Sequence, residues 1–509
     1  MLNLILLIPL LKGLYMLLLM VQLDHYEKMS VFRYLSKYYF KSAFIIICYL
    51  TIFFILNVSI LNYLIYLLIL IFSLFRTKYI MRLKFTKRMV RLILVNLGLI
   101  VLTVYFTKNL YSLIFIILCL PIYVFVSNLL LYPLEILIKI YYKHLAKKRL
   151  KKIKPYVICI TGSFGKTTLK NILYALYNES YLTVASKASY NTPMGLAKTI
   201  LNDLSPLSEL LILEAGATHT GDIKEITEMI EPNLGIITQI GAQHLKSFKT
   251  MNNILKTKWE LPSNMDSDGK VILNEASPYL AGVKAYNLSE TIGVNLPTSS
   301  VTYKNVVTND LETTFDLVVN NQVVLNIKTK MLGLHNVENI TMAYAVKLIL
   351  DHEGFYLSDQ DFKNRVSNLV NPSHRLSLKE EEISGVKYRY LDDSYNSNEK
   401  GFLSAINTLK RVEGIKIVIT PFIVDSGAYT NKLATTIAPA LKDLDEVLLI
   451  DNKQIVPLKK QLKLNNINFL TFASLKAALQ YVHHKYASFN ATYINVLLEN
   501  DLPDNYIMR

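Results

Sequence analysis

The stretch PYVICITGSFGKTTL, residues 155–169, decides the fold of this chain. Residues 155–161 predict a short buried strand, and a glycine-containing loop follows it. Apolar residues with helical spacing come next: Leu169, Ile172, Leu173 and Leu176. A glycine loop between a strand and a helix surrounds phosphate oxygens with backbone N–H groups and the helix N-terminus. The stretch therefore predicts an α/β domain that binds phosphate.

The loop has its own spacing, Gly162-x-x-Gly165-Lys166-Thr167. The usual phosphate loop has a glycine five residues before the Gly-Lys pair, and Ile160 stands there. We expect the Lys166 ammonium to neutralise the terminal phosphates and the Thr167 hydroxyl to bind magnesium. The predicted phosphate-binding residues are Gly162, Ser163, Gly165, Lys166, Thr167 and Thr168. An ordinary glycine-rich turn is the alternative for the loop taken alone.

Charge divides the chain of 509 residues unevenly. Residues 1–154 contain 21 Lys or Arg and three acids, whereas the rest contains 34 basic and 36 acidic residues. The basic residues lie between apolar runs and not on one folded face, which argues against nucleic-acid binding. Three cysteines are too few and too scattered for a disulfide framework or a zinc ribbon.

Long apolar runs indicate a membrane domain. They occupy residues 3–23, 43–75, 92–107 and 110–133. A span needs ~20 apolar residues, so the run 43–75 holds two and we predict about five spans. A cleaved signal peptide is the alternative for the first run. Short basic loops stay in the cytoplasm, which places the N-terminus outside and everything after residue 150 in the cytoplasm of a bacterium.

Further motifs follow the loop in a fixed order. They are Asn191-Thr192-Pro193-Met194-Gly195, Glu214-Ala215-Gly216-Ala217, Gln243-His244-Leu245, Lys256-Thr257-Lys258-Trp259-Glu260, Gly333-Leu334-His335-Asn336-Val337-Glu338-Asn339, Arg375, and Asp392-Asp393-Ser394-Tyr395-Asn396-Ser397-Asn398. Over roughly residues 155–430 the ordered set resembles the Mur ligases, most closely the branch that adds D-alanyl-D-alanine to a muramyl-tripeptide.

The resemblance implies an architecture. We expect an N-terminal α-helical membrane domain of about five spans, followed by two α/β domains: the central ATP-binding Mur-ligase domain and a C-terminal Rossmann-like domain. The expected boundaries are 1–138 for the membrane domain, 139–154 for a basic juxtamembrane helix, 155–372 for the central domain and 373–509 for the last domain.

The resemblance also implies a chemistry that uses ATP and Mg²⁺. In the family, ATP phosphorylates a carboxylate and an amine attacks the acyl phosphate. The expected catalytic residues are Lys166, His244, Lys258 and Arg375. The expected metal ligands are Thr167, Glu214, His244 and, if it is carbamylated, Lys258. The expected nucleotide contacts beyond the loop are Asn336, Asn339, Arg375 and Asp393. Taken singly, these residues also suit surface, helix-capping or turn positions.

One departure from the family concerns the substrate. Membrane spans stand where canonical members have a domain that holds a uridine-diphosphate sugar. We therefore expect membrane lipid as a partner, a lipid-linked or polymeric envelope acceptor, an amino acid or small peptide as the amine, and no nucleic acid. The alternatives are a poly-γ-glutamate-type polymerising ligase, a membrane ATPase or transporter, and a non-catalytic scaffold. The oligomeric state stays open.

Overall fold

The computed structural model describes residues 2–24, 26, 78–79, 83–107, 111–187, 190–241, 245–309, 312–394, 399–423, 429–452, 454–487, 489, 493–500 and 507–508. The chain divides into two compact units. One consists of Met1–Tyr141 with Pro503–Arg509, and the other of Tyr142–Leu502.

The first unit is mainly helical. Its described elements are α1 (Leu2–Leu23), β1 (Lys78–Tyr79), α2 (Lys87–Thr107), the first part of α3 (Tyr111–Ile153) and β17 (Ile507–Met508). Strands β1 and β17 pair antiparallel.

The number of membrane spans differs from the prediction. Within the described residues, two helical stretches are long and apolar enough to cross a membrane, Lys87–Phe106 and Cys119–Ile153, and Leu10–Leu23 is a shorter apolar helix. The run 43–75, which was predicted to hold two spans, lies outside the described residues. The structure thus supports two candidate spans and not about five.

The second unit contains a mixed sheet that begins with the predicted strand. Its described strands are β2 (Tyr156–Thr161), β3 (Thr183–Ala185), β4 (Leu210–Glu214), β5 (Leu234–Ile237), β6 (Lys270–Asn274), β7 (Glu290–Val294), β8 (Val301–Asn309), β9 (Glu312–Val319) and β10 (Gln322–Thr329). Their order is β10-β9-β8-β7-β6-β5-β2-β4-β3. Strands β2 to β8 are all parallel to one another. Strand β9 pairs antiparallel with β8, and β10 pairs antiparallel with β9.

Helices cover both faces of this sheet, as a parallel sheet requires. The described helices that follow β2 are α4 (Lys166–Tyr177), α5 (Pro193–Asn202), α6 (Asp222–Ile230), α7 (Leu245–Phe248), α8 (Met251–Ser263), α9 (Leu334–His352) and α10 (Asp359–Asn368). Alternate residues of β2 enter two cores: Ile158 packs with α4, α9 and α10, and Cys159 packs with α5, α6 and α8. The face shared with α6 also receives Ala146 and Leu150 of α3.

The end of α3 is tied to α6 by charge as well as by apolar packing. The Lys143 Nζ lies 2.9 Å from Glu225 Oε1, and the Lys147 Nζ lies 2.7 Å from Glu231 Oε1. Helix α3 ends at Ile153, because the residue before Pro155 is kept out of the helical region. Basic residues in the predicted segment 139–154 therefore have protein partners.

A second sheet follows in the same unit. Its described strands are β11 (Ser377–Ile383), β12 (Val386–Asp393), β13 (Ile415–Thr420), β14 (Glu446–Ile450), β15 (Leu470–Phe472) and β16 (Ile494–Glu499), in the order β11-β12-β16-β13-β14-β15. Its helices are α11 (Glu399–Arg411), α12 (Thr430–Ile437), a 3₁₀ turn (Ala438–Leu441), α13 (Val456–Leu464) and α14 (Leu475–Lys485).

The second sheet is parallel except at one edge. Strand β11 runs antiparallel to β12, and the other neighbours are parallel. Residues Ser384 and Gly385 join the two strands, and both have positive φ. A two-residue turn with positive φ at both positions matches the twist of a hairpin, so this pair of strands closes on itself.

Candidate functional site at the carboxyl edge of the first sheet

The phosphate loop is shaped by two glycines. Gly162 has φ 141°, and a Cβ there would stand 2.0 Å from the Thr238 Oγ1; Gly165 has φ 85° and precedes α4. The Thr238 hydroxyl donates to the Phe164 carbonyl at 2.6 Å, and the Ser163 N–H donates to the carbonyl of Gln239 at 2.8 Å. These contacts hold the loop against the end of β5, with the free N–H groups of α4 beside it.

Lys166 is folded over its own loop. Its Nζ donates to the carbonyls of Gly162 and Ser163, both at 3.0 Å. Desolvation lowers the pKa of Lys166 to about 8, while Glu214 opposes this shift and Arg375 adds to it. A cation therefore stands inside the loop, where phosphate oxygens would meet the backbone N–H groups.

Glu214 lies beside this loop at the end of β4. The Thr167 hydroxyl donates to Glu214 Oε2 at 2.8 Å, and the Lys170 Nζ lies 3.7 Å from the same oxygen. Glu214 and Lys170 are both buried. Lys170 also donates to the Ser186 carbonyl at 2.6 Å, and burial lowers its pKa. A hydroxyl and a carboxylate in contact form the hard oxygen donor set that Mg²⁺ prefers.

Thr168 is placed differently from its neighbour Thr167. It is a buried residue of α4, whereas the Thr167 hydroxyl reaches Glu214. Of the two threonines, the structure brings Thr167 to the candidate metal position.

Lys258 is a buried amine on α8. Burial and the charge of Lys166 lower the pKa of Lys258, whereas Asp222, Glu260 and Glu214 act in the opposite direction; the net pKa is about 7. Glu260, two residues further along α8, accepts from the Gly221 N–H at 2.7 Å and so ties α8 to the start of α6. The amine at this position is kept close to neutral, and the neutral amine is the form that reacts with carbon dioxide to give a carbamate.

The metal set is incomplete in the part of the chain that is described. Among those residues no three His, Cys, Asp or Glu side chains cluster as a preformed metal site. His244 was predicted as a metal ligand and lies outside the described residues. A carbamate on Lys258 would add a second carboxylate near Glu214, so the residues present fit the predicted magnesium chemistry.

The segment from Gly333 to Asn339 starts helix α9 next to the loop. A Cβ on Gly165 would stand 3.0 Å from the Asn339 Oδ1, which places Asn339 against the phosphate loop. Asn336 points elsewhere: its Nδ2 donates to the Leu332 carbonyl at 2.6 Å and to Asn371 Oδ1 at 3.2 Å. Asn339 thus lies against the phosphate loop and stays a predicted nucleotide contact, whereas Asn336 fixes the chain that leads to the second sheet.

Two predicted residues reach this edge from the second sheet. The Arg375 Nη2 donates to the Thr167 Oγ1 at 3.4 Å, across 208 positions of sequence. Asp393 ends β12, and Arg375 acts electrostatically on it. Desolvation raises the pKa of Asp393 above its usual range, and Arg375 opposes that rise. The structure therefore brings Arg375 to the loop and places Asp393 within electrostatic range of Arg375.

Sequence reasoning missed two charged groups near this site. Lys170 lies four residues after Lys166, one helical turn away, and this spacing was the available signal for its place beside Glu214. Lys400 of α11 reaches Glu338 in the segment that starts α9. Its position depends on how α11 packs against α9, and the local sequence does not reveal that packing.

Comparison with known proteins shows a match to one protein family. Residues 160–347 match the model of the Mur ligase middle domain. Residues 160–347 therefore form a Mur ligase middle domain. This confirms the resemblance to the Mur ligases predicted from the ordered motifs; Mur ligases are ATP-dependent ligases that use ATP and Mg²⁺.

Individual Mur ligases cover part of the chain. The UDP-N-acetylmuramoyl-tripeptide--D-alanyl-D-alanine ligase of Buchnera aphidicola subsp. Baizongia pistaciae is 26% identical over 275 residues, which are 53% of this chain and 57% of that protein. The chain thus spans less than two thirds of this relative. A crystal structure of MurF from Acinetobacter baumannii has a TM-score of 0.63 at 20% identity and covers 71% of this chain and 77% of its own. MurF ligase from Thermotoga maritima in complex with ADP has a TM-score of 0.62 at 20% identity and covers 71% and 80%.

Proposed function

We propose that the protein is a membrane-anchored ATP-dependent ligase that joins a carboxylate to an amine through an acyl phosphate. One observation carries the proposal: a buried lysine of lowered pKa, Lys258, lies within electrostatic reach of Glu214 and of the phosphate loop. An ATPase that only hydrolyses nucleotide needs a residue that activates water. A ligase instead needs cations around the two anions that it holds together, the carboxylate and the phosphates of ATP. The described carboxyl edge of the first sheet supplies such cations.

Each side chain has a proposed role in this chemistry. Lys166 and the loop N–H groups hold the terminal phosphates of ATP, and Thr167 with Glu214 holds Mg²⁺, which screens the phosphate charge. Arg375 adds a second positive charge, a guanidinium, where the phosphoryl group leaves ATP. Asn339 and Asp393 orient the nucleotide from opposite sides of the site. His244 stays a predicted metal ligand.

The acceptor is proposed to be lipid-linked or polymeric and to belong to the cell envelope, with an amino acid or small peptide as the amine. Two features support this part. Two described helices are long and apolar enough to cross a membrane. Residues 1–154 carry 21 Lys or Arg, which favours a cytoplasmic position for the segment that precedes the phosphate loop. The related ligase from Buchnera is named for a UDP-linked tripeptide, so a soluble acceptor is the alternative that the experiment must separate.

The test uses membranes that contain the full chain, its Lys166→Ala variant or its Lys148→Ala variant. Lys148 is an exposed residue of α3 and serves as the matched lysine control. Each preparation receives ATP, Mg²⁺ and labelled amino acids or dipeptides, and label is counted in lipid-extractable, polymer and water-soluble fractions. We expect label in the lipid or polymer fraction, lost in Lys166→Ala and kept in Lys148→Ala.

The other outcomes identify the competing functions. Label that depends on Lys166 but stays water-soluble indicates a soluble acceptor. Product length that grows with repeated use of one amino acid indicates a polymerising ligase. Fast ATP hydrolysis without amide formation indicates a membrane ATPase or transporter and contradicts the ligase proposal.

A further inference from the structure

Helix α11 of the second sheet lies against the segment that starts α9. Its Lys400 Nζ lies 2.5 Å from Glu338 Oε1. One turn further on, Ser404 is so near that a Cβ on Gly333 would stand 3.2 Å from the Ser404 Oγ. Behind these contacts, Phe402 of α11 shares a core with Leu332. The helix therefore packs along the segment 332–338 and contacts it at several points.

Burial makes the charge of Glu338 depend on this contact. The Glu338 side chain is 4% exposed, whereas that of Lys400 is 37% exposed. A carboxylate removed from water is costly unless a cation or hydrogen-bond donors compensate it. The Glu338 backbone is fixed from the first sheet, because Asn295 Nδ2 donates to its carbonyl at 3.2 Å. The cation, in contrast, comes from the second sheet.

The positive charge of Lys400 also reaches His335. Burial, together with the charges of Lys400 and Arg375, lowers the pKa of His335 to about 4. His335 and Asn339 flank Glu338 on the segment that was predicted to contact the nucleotide. Packing of α11 and the electrostatics of this segment are therefore linked.

We propose that Glu338 and Lys400 are positioning residues that latch α11 onto the segment 333–339 and thereby keep Arg375 and Asp393 at the nucleotide. This inference rests on the proposed function, which assigns the segment to nucleotide binding. Separation of the sheets would leave the carboxylate of Glu338 without its cation. The latched arrangement is favoured for that reason, and nucleotide affinity rises with the fraction of molecules that adopt it.

The experiment measures ADP binding to the full chain in detergent, with Mg²⁺ present, by titration calorimetry. Lys400→Met removes the cation and keeps an unbranched apolar side chain, and Lys400→Arg restores a cation. Glu338→Gln removes the buried charge with little change in shape, and the double variant closes a mutant cycle. Lys410→Met is the control on the same helix, because Lys410 lies 3.8 Å from the exposed Asp443.

We expect Lys400→Met to weaken ADP binding about ten-fold and Lys400→Arg to stay within about two-fold of wild type. The double variant should bind no worse than Glu338→Gln, since without the carboxylate the lysine has no partner to lose. Additive effects in the cycle would overturn the proposal. So would equal losses in Lys400→Met and Lys410→Met.

Two further measurements distinguish loss of the latch from misfolding and from a wrong assignment of the nucleotide site. Thermal unfolding without ADP identifies a variant that is misfolded. If Lys400→Met is misfolded, the ADP affinity of Glu338→Gln, which keeps the side-chain shape, provides the test. Lys166→Ala should abolish ADP binding. If it does not, the nucleotide site of the proposed function is wrong; if it does and Lys400→Met has no effect, the latch alone is wrong.

Discussion

Two lysine-rich regions of the second unit differ in what their charges do. At the carboxyl edge of the first sheet, three lysines have lowered pKa values: Lys166, Lys170 and Lys258. On the last turns of α3, three lysines pair with carboxylates of α6 and Glu231: Lys143, Lys147 and Lys151. In the first group Lys170 and Lys258 are buried and Lys166 is half-buried, whereas the second group is partly or largely exposed to solvent. Charge is costly only where water is excluded, so we expect the first group to take part in the proposed chemistry, although the basic segment is more conspicuous in sequence.

The largest expected effect separates the two regions by activity. Lys166→Ala should reduce ATP-dependent label transfer by at least about 100-fold, because the cation inside the phosphate loop is lost. Lys148→Ala on α3 should leave transfer within about two-fold of wild type. Initial rates of ADP formation at saturating ATP provide the measurement. Comparable losses in both variants would contradict the distinction between enclosed and exposed lysines.

The second prediction concerns the dependence of stability on pH. The pKa of Lys258 is about 7 in the folded chain against an ordinary value of 10.5. Between these values the unfolded chain binds a proton that the folded chain does not, so this lysine makes stability rise with pH. The slope is at most about 1.4 kcal/mol per pH unit, and Lys258→Met removes it.

Denaturant unfolding at about pH 7.5 and about pH 9.5 tests this slope. The free energy of unfolding of wild type should gain roughly 2–3 kcal/mol relative to Lys258→Met over that interval. Lys147→Met is the exposed control and should give no such gain. A wild-type protein and a Lys258→Met variant with parallel pH profiles would show that the amine is not held neutral.

The third prediction extends the first region to the second sheet. Arg375→Ala should lower kcat about ten-fold, because the guanidinium that reaches Thr167 would no longer stabilise the phosphoryl group in transfer. Arg389→Ala is the matched control, since Arg389 lies on β12 and pairs with Glu380 at 2.7 Å. Steady-state rates of ADP formation measure both variants. An unchanged kcat in Arg375→Ala would show that Arg375 does not contribute to catalysis.

The smallest effect belongs to the exposed region. The Lys147 and Glu231 side chains are each 39% exposed. Ion pairs of that exposure stabilise proteins by about 0.5 kcal/mol or less, and salt weakens them further. Thermal unfolding of Lys147→Ala should therefore shift by no more than about 2 °C. A much larger shift would mean that α3 is held to α6 mainly by charge and not by Ala146 and Leu150.

The site was predictable where its parts are contiguous or end a strand. The loop from Gly162 to Thr167 is one local segment, and Glu214 directly ends β4, whose carboxyl end meets that of β2. The use of ATP and Mg²⁺ followed from the same ordered motifs. Lys170 escaped notice because burial, which gives the residue its place beside Glu214, is a property of packing.

Other features depended on distant segments. The pair Glu338–Lys400 joins residues 62 positions apart, and each is unremarkable in its own helix. The antiparallel pairing of β11 with β12 depends on the turn at Ser384-Gly385, which the sequence analysis did not identify. The count of about five membrane spans was read from apolar length alone, and the described residues support two.

The sequence by itself determined that residues 155–169 form a strand, a phosphate loop and a helix, because apolar periodicity and glycine conformation act over a few residues. It also revealed the resemblance to the Mur ligases, because several motifs in order are specific even when each is not. Only the tertiary structure decided which lysines lose their water and which remain solvated. It alone brought Arg375 to Thr167 and Lys400 to Glu338, since such contacts depend on the packing of two sheets and not on any local pattern.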